Sequence, residues 1–419
     1  MKMSKIDDLI KQYCPNGVKY KELGNIGIFY GGLSGKSKED FKDGNCKYIT
    51  YTNIYSNPAL KIDIEDKVNI QNGEKQNIIQ YGDVLFTGSS ETPDECGFSS
   101  VVTQKIKENI YLNSFCFGFR LNDLTQFNLH FLKHLFRSYE IRKQIVGTAS
   151  GVTRFNVSKK RFAKIKIPVP PLPVQEEIVK VLDAFTALEA ELEAELEARK
   201  RQYEYYRNKL LTFDENTTGG GINWKMLSEV FDIKNGYTPS KANKEFWKNG
   251  TIPWFRMEDI RENGRILNDS IQHITPQAVK GGKLFPANSI IVATTATIGE
   301  HALITVDSLA NQRFTFLSKK VNRYNELDMK FFYYYMFVID EWCKNNTNVS
   351  GFASVDMNKF KKLMIPIPPI EEKERIVAIL DKFDSLVNDI SEGLPAELTA
   401  RRQQYEYYRN KLLTFDEAA

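Results

Sequence analysis

Apolar residues fall into two long stripes with a helical period. From Ile178, steps of four and three land on Leu182, Phe185, Glu189, Leu192, Leu196, Arg199, Tyr203, Tyr206 and Leu210, and eight of these ten positions are apolar or aromatic. That is a heptad seam. It predicts one long helix over 174–213 that needs a partner helix. A second stripe runs through Ile376, Leu380, Phe383, Val387, Ile390 and Leu394, then Leu398, Tyr405, Tyr408 and Leu412. The economical arrangement pairs the two helices. Antiparallel pairing would put the regions they follow at opposite ends of a rod, since a helix of forty residues spans ~60 Å.

Each stripe opens the same way, with PPLPVQEEI after Val169 and PPIEEKERI after Ile367. Proline pre-sets a helix entry and the acids suit the positive end of its dipole; these prolines serve equally well as helix starters only. The first stripe contains LEAELEAELEAR (188–199), a four-residue unit repeated, each copy worth ~6 Å of helix. Phe185 to Tyr203 is 18 residues, while Phe383 to Tyr405 is 22. The surplus falls near SEGLP (391–395), where Gly393 and Pro395 should kink or interrupt the second helix.

Ahead of each helix the pattern changes to short β-branched and aromatic runs punctuated by Gly and Asn: KYITYTNI (47–54), DVLFT (83–87) and NSFCFGFRL (113–121). These predict short strands and turns, and 125–145 looks helical. The chain is thus divided into a first mixed domain, 1–165, a helix, 166–215, a second mixed domain, 216–363, and a closing helix, 364–419, with NTTGGG (216–221) as a flexible break. The division is a repeat. Residues 199–215 and 401–417 agree at fifteen of seventeen positions. Pro168, Ile178, Leu182 and Phe185 match Pro366, Ile376, Leu380 and Phe383. The mixed domains correspond more weakly: 20–32 with 224–236, 47–54 with 253–260, 83–87 with 289–295, Asn113 with Asn311, Gly151 with Gly351. One plan is used twice, and a chain with two like halves suits a partner that is itself near-symmetric. The scaffold is shared while the residues on it diverge, so two such faces would read two different things.

Composition narrows this only a little. The 419 residues fit about two to four domains. A net charge of +4 excludes a polycation, so any nucleic-acid surface must be local. Five cysteines, none in a C-x-x-C pair, argue against a disulfide framework or zinc knuckle and for a reducing compartment. No apolar run approaches the ~18 residues of a membrane span, and the opening MKMSKIDDLIKQYC carries acids where a signal peptide would be apolar. The expectation is a cytoplasmic protein with no membrane association.

At this point the chain resembles a known family, the specificity subunits of type I restriction-modification enzymes. The likeness covers the whole chain and rests on CPNGVKYKELG (14–24), GYTPSKAN (236–243), IPW (252–254), ATIG (296–299), IPVPPLPVQEEIVKVLD (167–183), IPIPPIEEKERIVAILD (365–381) and QYEYYRNKLLTF twice. The resemblance implies an α+β fold: two mixed α/β target-recognition domains separated by two long antiparallel helices, a coiled-coil spacer, with a pseudo-two-fold internal repeat. It implies that each domain binds one half of a bipartite target in double-stranded DNA. The helices would set the half-site spacing and dock two methyltransferase subunits, restriction subunits joining the larger complex. The elongation repeat resembles the tetrapeptide units that set spacer length in this family. The chain itself would be a non-catalytic part of an adenine methyltransferase complex.

A search for chemistry agrees. An adenine methyltransferase needs an Asn/Asp-Pro-Pro-Tyr/Phe loop, and the proline steps here lack the acid or amide. GGLSGKS (31–37) has three residues between Gly31 and Gly35 where a phosphate loop needs four. His130 and His134 have helical spacing, but position 131 is Phe, so no H-E-x-x-H zinc site exists. No Ser/His/Asp grouping stands out. Hence no catalytic residue, metal or cofactor is expected.

DNA contact calls for Arg, Lys, Asn, Gln, Ser, Thr and Tyr on loops. The first domain offers Tyr30, Ser34, Lys36, Lys38, Thr52, Asn53, Ser89, Ser90, Thr153 and Arg154. The second offers Tyr237, Thr238, Lys241, Arg256, Thr294, Thr295, Thr297, Arg313 and Ser354. Each could instead be a solvated turn residue or a cap. KKRFAKIK (159–166) and KFKK (359–362) could grip phosphate or be solvated faces. Two readings stand: a bipartite DNA-reading subunit, and a non-nucleic-acid scaffold joining partners through its coiled coil. Divergent polar loops on matched scaffolds favour the first.

Overall fold

The computed structural model describes residues 5–213, 222–320, 327–348, 353–389 and 391–418. The break at 216–221, Gly351 and Ile390 lie outside the described residues. The chain forms two compact units, Met1–Glu193 with Glu397–Ala419, and Ala194–Ala396.

The predicted long helix is Leu172–Leu211. It starts where Pro170, Pro171 and Pro173 need no backbone donors. Its seam pairs with the second stripe in antiparallel fashion. In the first unit the Phe185 ring stacks on Tyr408, centroids 5.3 Å apart, and Arg402 reaches Glu189 at 2.7 Å and also Glu193. In the second unit the Tyr206 ring stacks on Phe383 at 5.6 Å, and the Tyr203 hydroxyl donates to Asp384 at 3.3 Å. The second stripe is interrupted into Ile370–Asn388 and Leu394–Leu412. At the break the Asp389 carboxylate accepts from the Ser391 and Glu392 N–H groups at 2.7 and 3.2 Å. A Cβ at Gly393 would lie 2.4 Å from the Ser385 carbonyl oxygen, so only glycine fits.

Each unit contains an antiparallel sheet with a smaller three-stranded sheet beside it. The first unit's main sheet runs Gly27–Gly31, Cys116–Leu121, Val84–Thr87, Ser99–Val101. The second runs Phe231–Asn235, Phe314–Lys319, Ser289–Ala293, His301–Ile304, with Ile266–Leu267 added in parallel. In the small sheets Cys46–Ile49 lies parallel to Ile110–Leu112, and Ile252–Phe255 parallel to Leu309–Ala310. The central strands are apolar on both faces, because helices pack on one face and the small sheet packs against the other. Phe86 is fully buried, with Phe136 and Phe162 rings at 5.2 and 4.9 Å; Phe231 and Phe331 hold the matching core.

Two elements depart from the expected pattern. The 47–54 run is a strand only to Ile49. Thr50 then accepts from the Asn53 N–H through its hydroxyl and starts the helix Tyr51–Ser56. At the matching place in 253–260, Asp259 accepts from the Arg256 N–H at 2.6 Å and the helix Met257–Asn263 follows. The predicted helix over 125–145 is two helices, Leu129–Leu135 and Tyr139–Val146, broken where the Ser138 hydroxyl turns back onto the Leu135 carbonyl at 2.7 Å.

A buried polar node ties each domain helix to the long-helix layer. In the first unit His134 is in hydrogen-bonding contact with Asp183 at 2.7 Å and with Tyr405 at 2.9 Å. Burial pushes the His134 pKa down. Nε2 faces a carboxylate, which can only accept, so it donates there, and a ring carrying that one proton accepts the Tyr405 hydroxyl at Nδ1. Burial also works against the Asp183 carboxylate, but hydrogen bonds from His134 and Lys133 outweigh it and hold its pKa at about 2. In the second unit the same layer is joined by a hydrogen bond from Tyr334 to Asp381. Of the two histidines at helical spacing, His134 is buried in this node and His130 is exposed.

Candidate nucleic-acid interface

Around one edge of each unit several turns meet on a common frame of main-chain hydrogen bonds. In the first unit the Asn113 N–H donates to Ile49 at 3.0 Å, and the Asn113 side chain accepts from the Phe115 N–H at 2.9 Å. The Gly88 N–H donates to Phe115 at 2.7 Å, and Val157 N–H to Gly88 at 2.9 Å. In the second unit Asn311 N–H donates to Phe255 at 3.0 Å, and its side chain accepts from Arg313 N–H at 2.9 Å. Thr294 N–H donates to Arg313 at 3.0 Å, and Val355 N–H to Thr294 at 2.9 Å. Four bonds correspond one to one. They explain why an asparagine stands at 113 and at 311: its short amide caps a two-residue turn.

The frame gathers some of the expected residues. In the first unit it carries Ser89 and Ser90, whose strand pairs with the hairpin Ala149–Ser150 and Phe155–Val157. Thr153 and Arg154 stand exposed at the hairpin tip, and Gly151 there has φ 151°, a conformation that favours glycine. Thr52 is exposed on the short helix after Thr50, and the neighbouring Tyr51 hydroxyl donates to the Ser89 carbonyl at 2.9 Å. In the second unit the frame carries Thr294, Thr295, Thr297, Arg313, Ser354 and Arg256. Thr295 bridges to Ser354. Thr294 is buried, its hydroxyl 2.9 Å from that of Thr315. Arg313 is exposed, and Arg256 is half-buried with its guanidinium 5.9 Å from the Trp254 ring. Thr238 joins them through its hydrogen bond to Gln312.

Other expected residues are committed to the fold. The Tyr30 hydroxyl donates to Asp83 at 2.6 Å, and Arg120 closes on the same buried carboxylate at 2.8 and 2.7 Å; burial and Asp83 push the Tyr30 pKa far up. Lys36 is held by Glu74 and the Asn69 carbonyl, both at 2.6 Å, and its hydrogen bond is the largest cause of a Glu74 pKa of about 2. Asn53 accepts from the Lys61 N–H and donates to the Lys61 carbonyl. Ser90 donates to Glu95 at 3.0 Å. Ser34 is exposed but bonded through its backbone to Gln76, and Lys38 is exposed on the same loop. The Tyr237 hydroxyl accepts from the Lys280 N–H at 2.7 Å. Lys241 lines a separate shallow hollow of about 570 Å³ with Lys244, Trp247, Lys248 and Gln272.

Sequence reading missed two buttresses and one exposed ring. Arg137 and Arg142 donate to the carbonyls of Ser99, Ile54 and Tyr55, and of Gly97, Asp94 and Cys96. Burial pushes both pKa values down to about 10. They brace the loops that carry these carbonyls. Phe115 is 54% exposed on the frame's turn, with the Arg154 guanidinium 5.1 Å from its ring centroid. Its place two residues after Asn113 was the available signal. Among the described residues no group of three His, Cys, Asp or Glu side chains could hold a metal ion, and no helix is long and apolar enough to cross a membrane.

The family model for the type I restriction modification DNA specificity domain matches the chain twice, at residues 15–198 and 221–400. The chain belongs to that family. It is 57% identical over 206 residues to the EcoprrI specificity subunit of Escherichia coli, covering 48% of this chain and 51% of that one. It is 43% identical over 270 residues to the EcoR124I/EcoR124II specificity subunit of Escherichia coli, covering 61% and 64%. The matched segments thus span about half and just under two thirds of these two relatives. A putative type I specificity subunit of Haemophilus influenzae is 31% identical over 309 residues, covering 70% and 74%. Two solved chains share the fold. One comes from work on complex assembly and conformational transition of the type I system, with a TM-score of 0.67, 18% identity, and 95% and 98% coverage. The other is the HsdS subunit of Thermoanaerobacter tengcongensis, with a TM-score of 0.55, 18% identity, and 95% and 97% coverage. The doubled family match and the doubled frame describe one architecture: two mixed domains in an internal repeat, the first followed by one long helix and the second by two shorter ones.

Proposed function

We propose that this chain is the sequence-reading subunit of a type I restriction-modification complex, each unit contacting one half of a bipartite site in double-stranded DNA. The observation that carries the reading is the shared frame. Three matched main-chain bonds and one matched asparagine cap hold two sets of unlike polar and cationic side chains, in a chain that belongs to a DNA specificity family. Base edges are discriminated by side-chain donors and acceptors, so divergence on a fixed frame is what two different half-sites require. The mixed domains are taken as 1–165 and 216–363, the helical regions as 166–215 and 364–419. The helices set the half-site spacing and dock two methyltransferase subunits, with restriction subunits in the larger assembly. Methyl transfer to adenine belongs to those partners, and the specificity chain works without a cofactor or catalytic group of its own.

The frame residues Thr52, Thr153 and Arg154 face one half-site, while Ser89 and Ser90 are buried and hold the turn. Thr238, Arg256, Thr295, Thr297, Arg313 and Ser354 face the other, with Thr294 buried in the frame. Lys38 and Lys241 suit phosphate contact, while Tyr30, Ser34, Lys36, Asn53 and Tyr237 act by holding the loops.

A gel shift with the full chain and its methyltransferase partner tests the reading. Binding must fall as salt rises and must depend on sequence. Sequence-independent binding, or none, would favour a protein scaffold. A labelled methyl donor supplies the companion assay: the highly purified chain alone transfers no methyl group to DNA, and transfer without added subunits contradicts a partner-borne activity.

A further inference from the structure

Phe115 and Arg313 occupy the same point of the frame. Each follows its asparagine by two residues, gives its N–H to that asparagine's side chain at 2.9 Å, and accepts at its carbonyl from the matching turn, Gly88 or Thr294. One unit therefore projects an arginine from this point, and the other an aromatic ring. The ring is not core. Cys116 and Phe117 beside it are buried, while Phe115 is 54% exposed. An exposed phenylalanine gains little from burial, so its use lies in what it touches. It carries the guanidinium of Arg154, which arrives from the tip of a separate hairpin.

We propose that Phe115 is a positioning residue that delivers Arg154 to the place on the frame from which Arg313 projects in the other unit. Each unit then offers an arginine from this point of the frame to a base pair of its half-site, by two different routes. Arg154 stands on an exposed hairpin tip, and its long side chain has many rotamers. A ring face beneath the planar guanidinium restricts those rotamers while leaving the forked edge of donors free. That edge suits the O6 and N7 acceptors of guanine. Phe115 itself makes no hydrogen bond to DNA and acts only through Arg154. This inference rests on the reading that the frame of each unit faces DNA.

The test uses the full chain with its methyltransferase partner. Relative affinities are measured for duplexes that differ from the selected site at one base pair at a time. Arg154→Ala lowers the preference at one base pair of one half-site about ten-fold. Phe115→Leu, which keeps apolar cover over the turn, lowers it about three-fold at the same base pair, and Phe115→Tyr keeps it. Arg313→Ala alters only the opposite half. The double variant Phe115→Arg with Arg154→Ala, which copies the other unit, regains preference at that base pair. Phe115→Leu behaving as Phe115→Tyr, or acting at a different base pair from Arg154→Ala, overturns the positioning role. If Arg154→Ala changes no preference while Thr52→Ala or Arg313→Ala does, the positioning inference fails and the DNA reading stands. If the unaltered chain prefers no sequence, both fail.

Discussion

In the first unit the frame holds Thr50, Tyr51 and Thr52 beside Gly88, Ser89 and Ser90. In the second it holds Arg256, Met257 and Glu258 beside Thr294, Thr295 and Ala296. The hydrogen bonds beneath are the same, and the asparagines that cap the turn are the same. What differs is the side chains that the frames carry, among them the exposed Thr52 in one unit and the exposed Glu258 in the other. The nodes behind the frames differ in the same manner: His134 on Asp183 in one unit, Tyr334 on Asp381 in the other. Backbone bonding and short caps fix the turn geometry, and this leaves the outward side chains free to change without refolding the turn. A reading surface built so can change its target while keeping its fold.

The largest effect should come from breaking one core and leaving the other. Phe86→Ala removes a fully buried ring among Phe117, Phe136 and Phe162 and should cost about 3–5 kcal/mol. Hydrogen exchange should show lost protection across the first unit's sheet. Equal loss at Ser289–Ala293 in the second unit would mean that the units do not fold independently.

Next in size is the reading itself. Arg313→Ala should remove about 1–3 kcal/mol of discrimination at one position, in the half-site of the second unit alone. Binding to duplexes altered in one half at a time measures this, and equal losses in both halves would contradict the division of labour.

The nodes differ in their response to acid. Burial lowers the folded His134 pKa below its ordinary 6.5. As pH falls through that value the unfolded chain takes up the proton first, so the folded unit loses stability from about 6.5 downward until folded His134 itself protonates. Lys133, Arg409, Asp183 and Tyr405 face the ring; Asp183, held at about 2 against an ordinary 3.8, adds loss in the same direction below that value. His134→Tyr, which copies Tyr334, should flatten the decline between pH 7 and 5. Urea midpoints of the first unit across that range check it, and an unchanged slope would place the acid sensitivity elsewhere.

The smallest expected change is at an exposed ion pair. Arg402→Ala, which frees Glu189 and Glu193, should shift stability by at most about 1 kcal/mol, less at high salt. A urea midpoint shift several times larger would show that this pair governs helix register.

How much of this was legible in the sequence follows from range. The seam residues Ile178, Leu182 and Tyr203 are buried where the period put them, and Gly393 interrupts the second helix where its lack of Cβ demanded. Those signals are local and periodic. The strand-to-helix switch after Ile49 was written in Thr50 but masked by aromatic neighbours with strong strand preference. The candidate site was legible only as a set of loops. Nothing local says that Lys36 is consumed by Glu74 or Tyr30 by Asp83, because those pairs span 38 and 53 residues. Phe115 was masked for the opposite reason: within NSFCFGFRL it reads as one more core aromatic, and its place two residues after Asn113 was the one signal that the turn faces it outward.

The central claim is that two frames read two half-sites whose separation is set by helix length. The direct measurement maps methylated adenines genome-wide, with the chain and its methyltransferase partner supplied unaltered and with residues 192–195 deleted. The deletion removes one LEAE-type unit, about 6 Å of helix, and touches neither frame. The account predicts two short specific blocks separated by a gap, the same blocks in both cases, and a gap changed by about one or two base pairs at ~3.4 Å per step. A single uninterrupted site, an unchanged gap, or new block sequences after the deletion would contradict it.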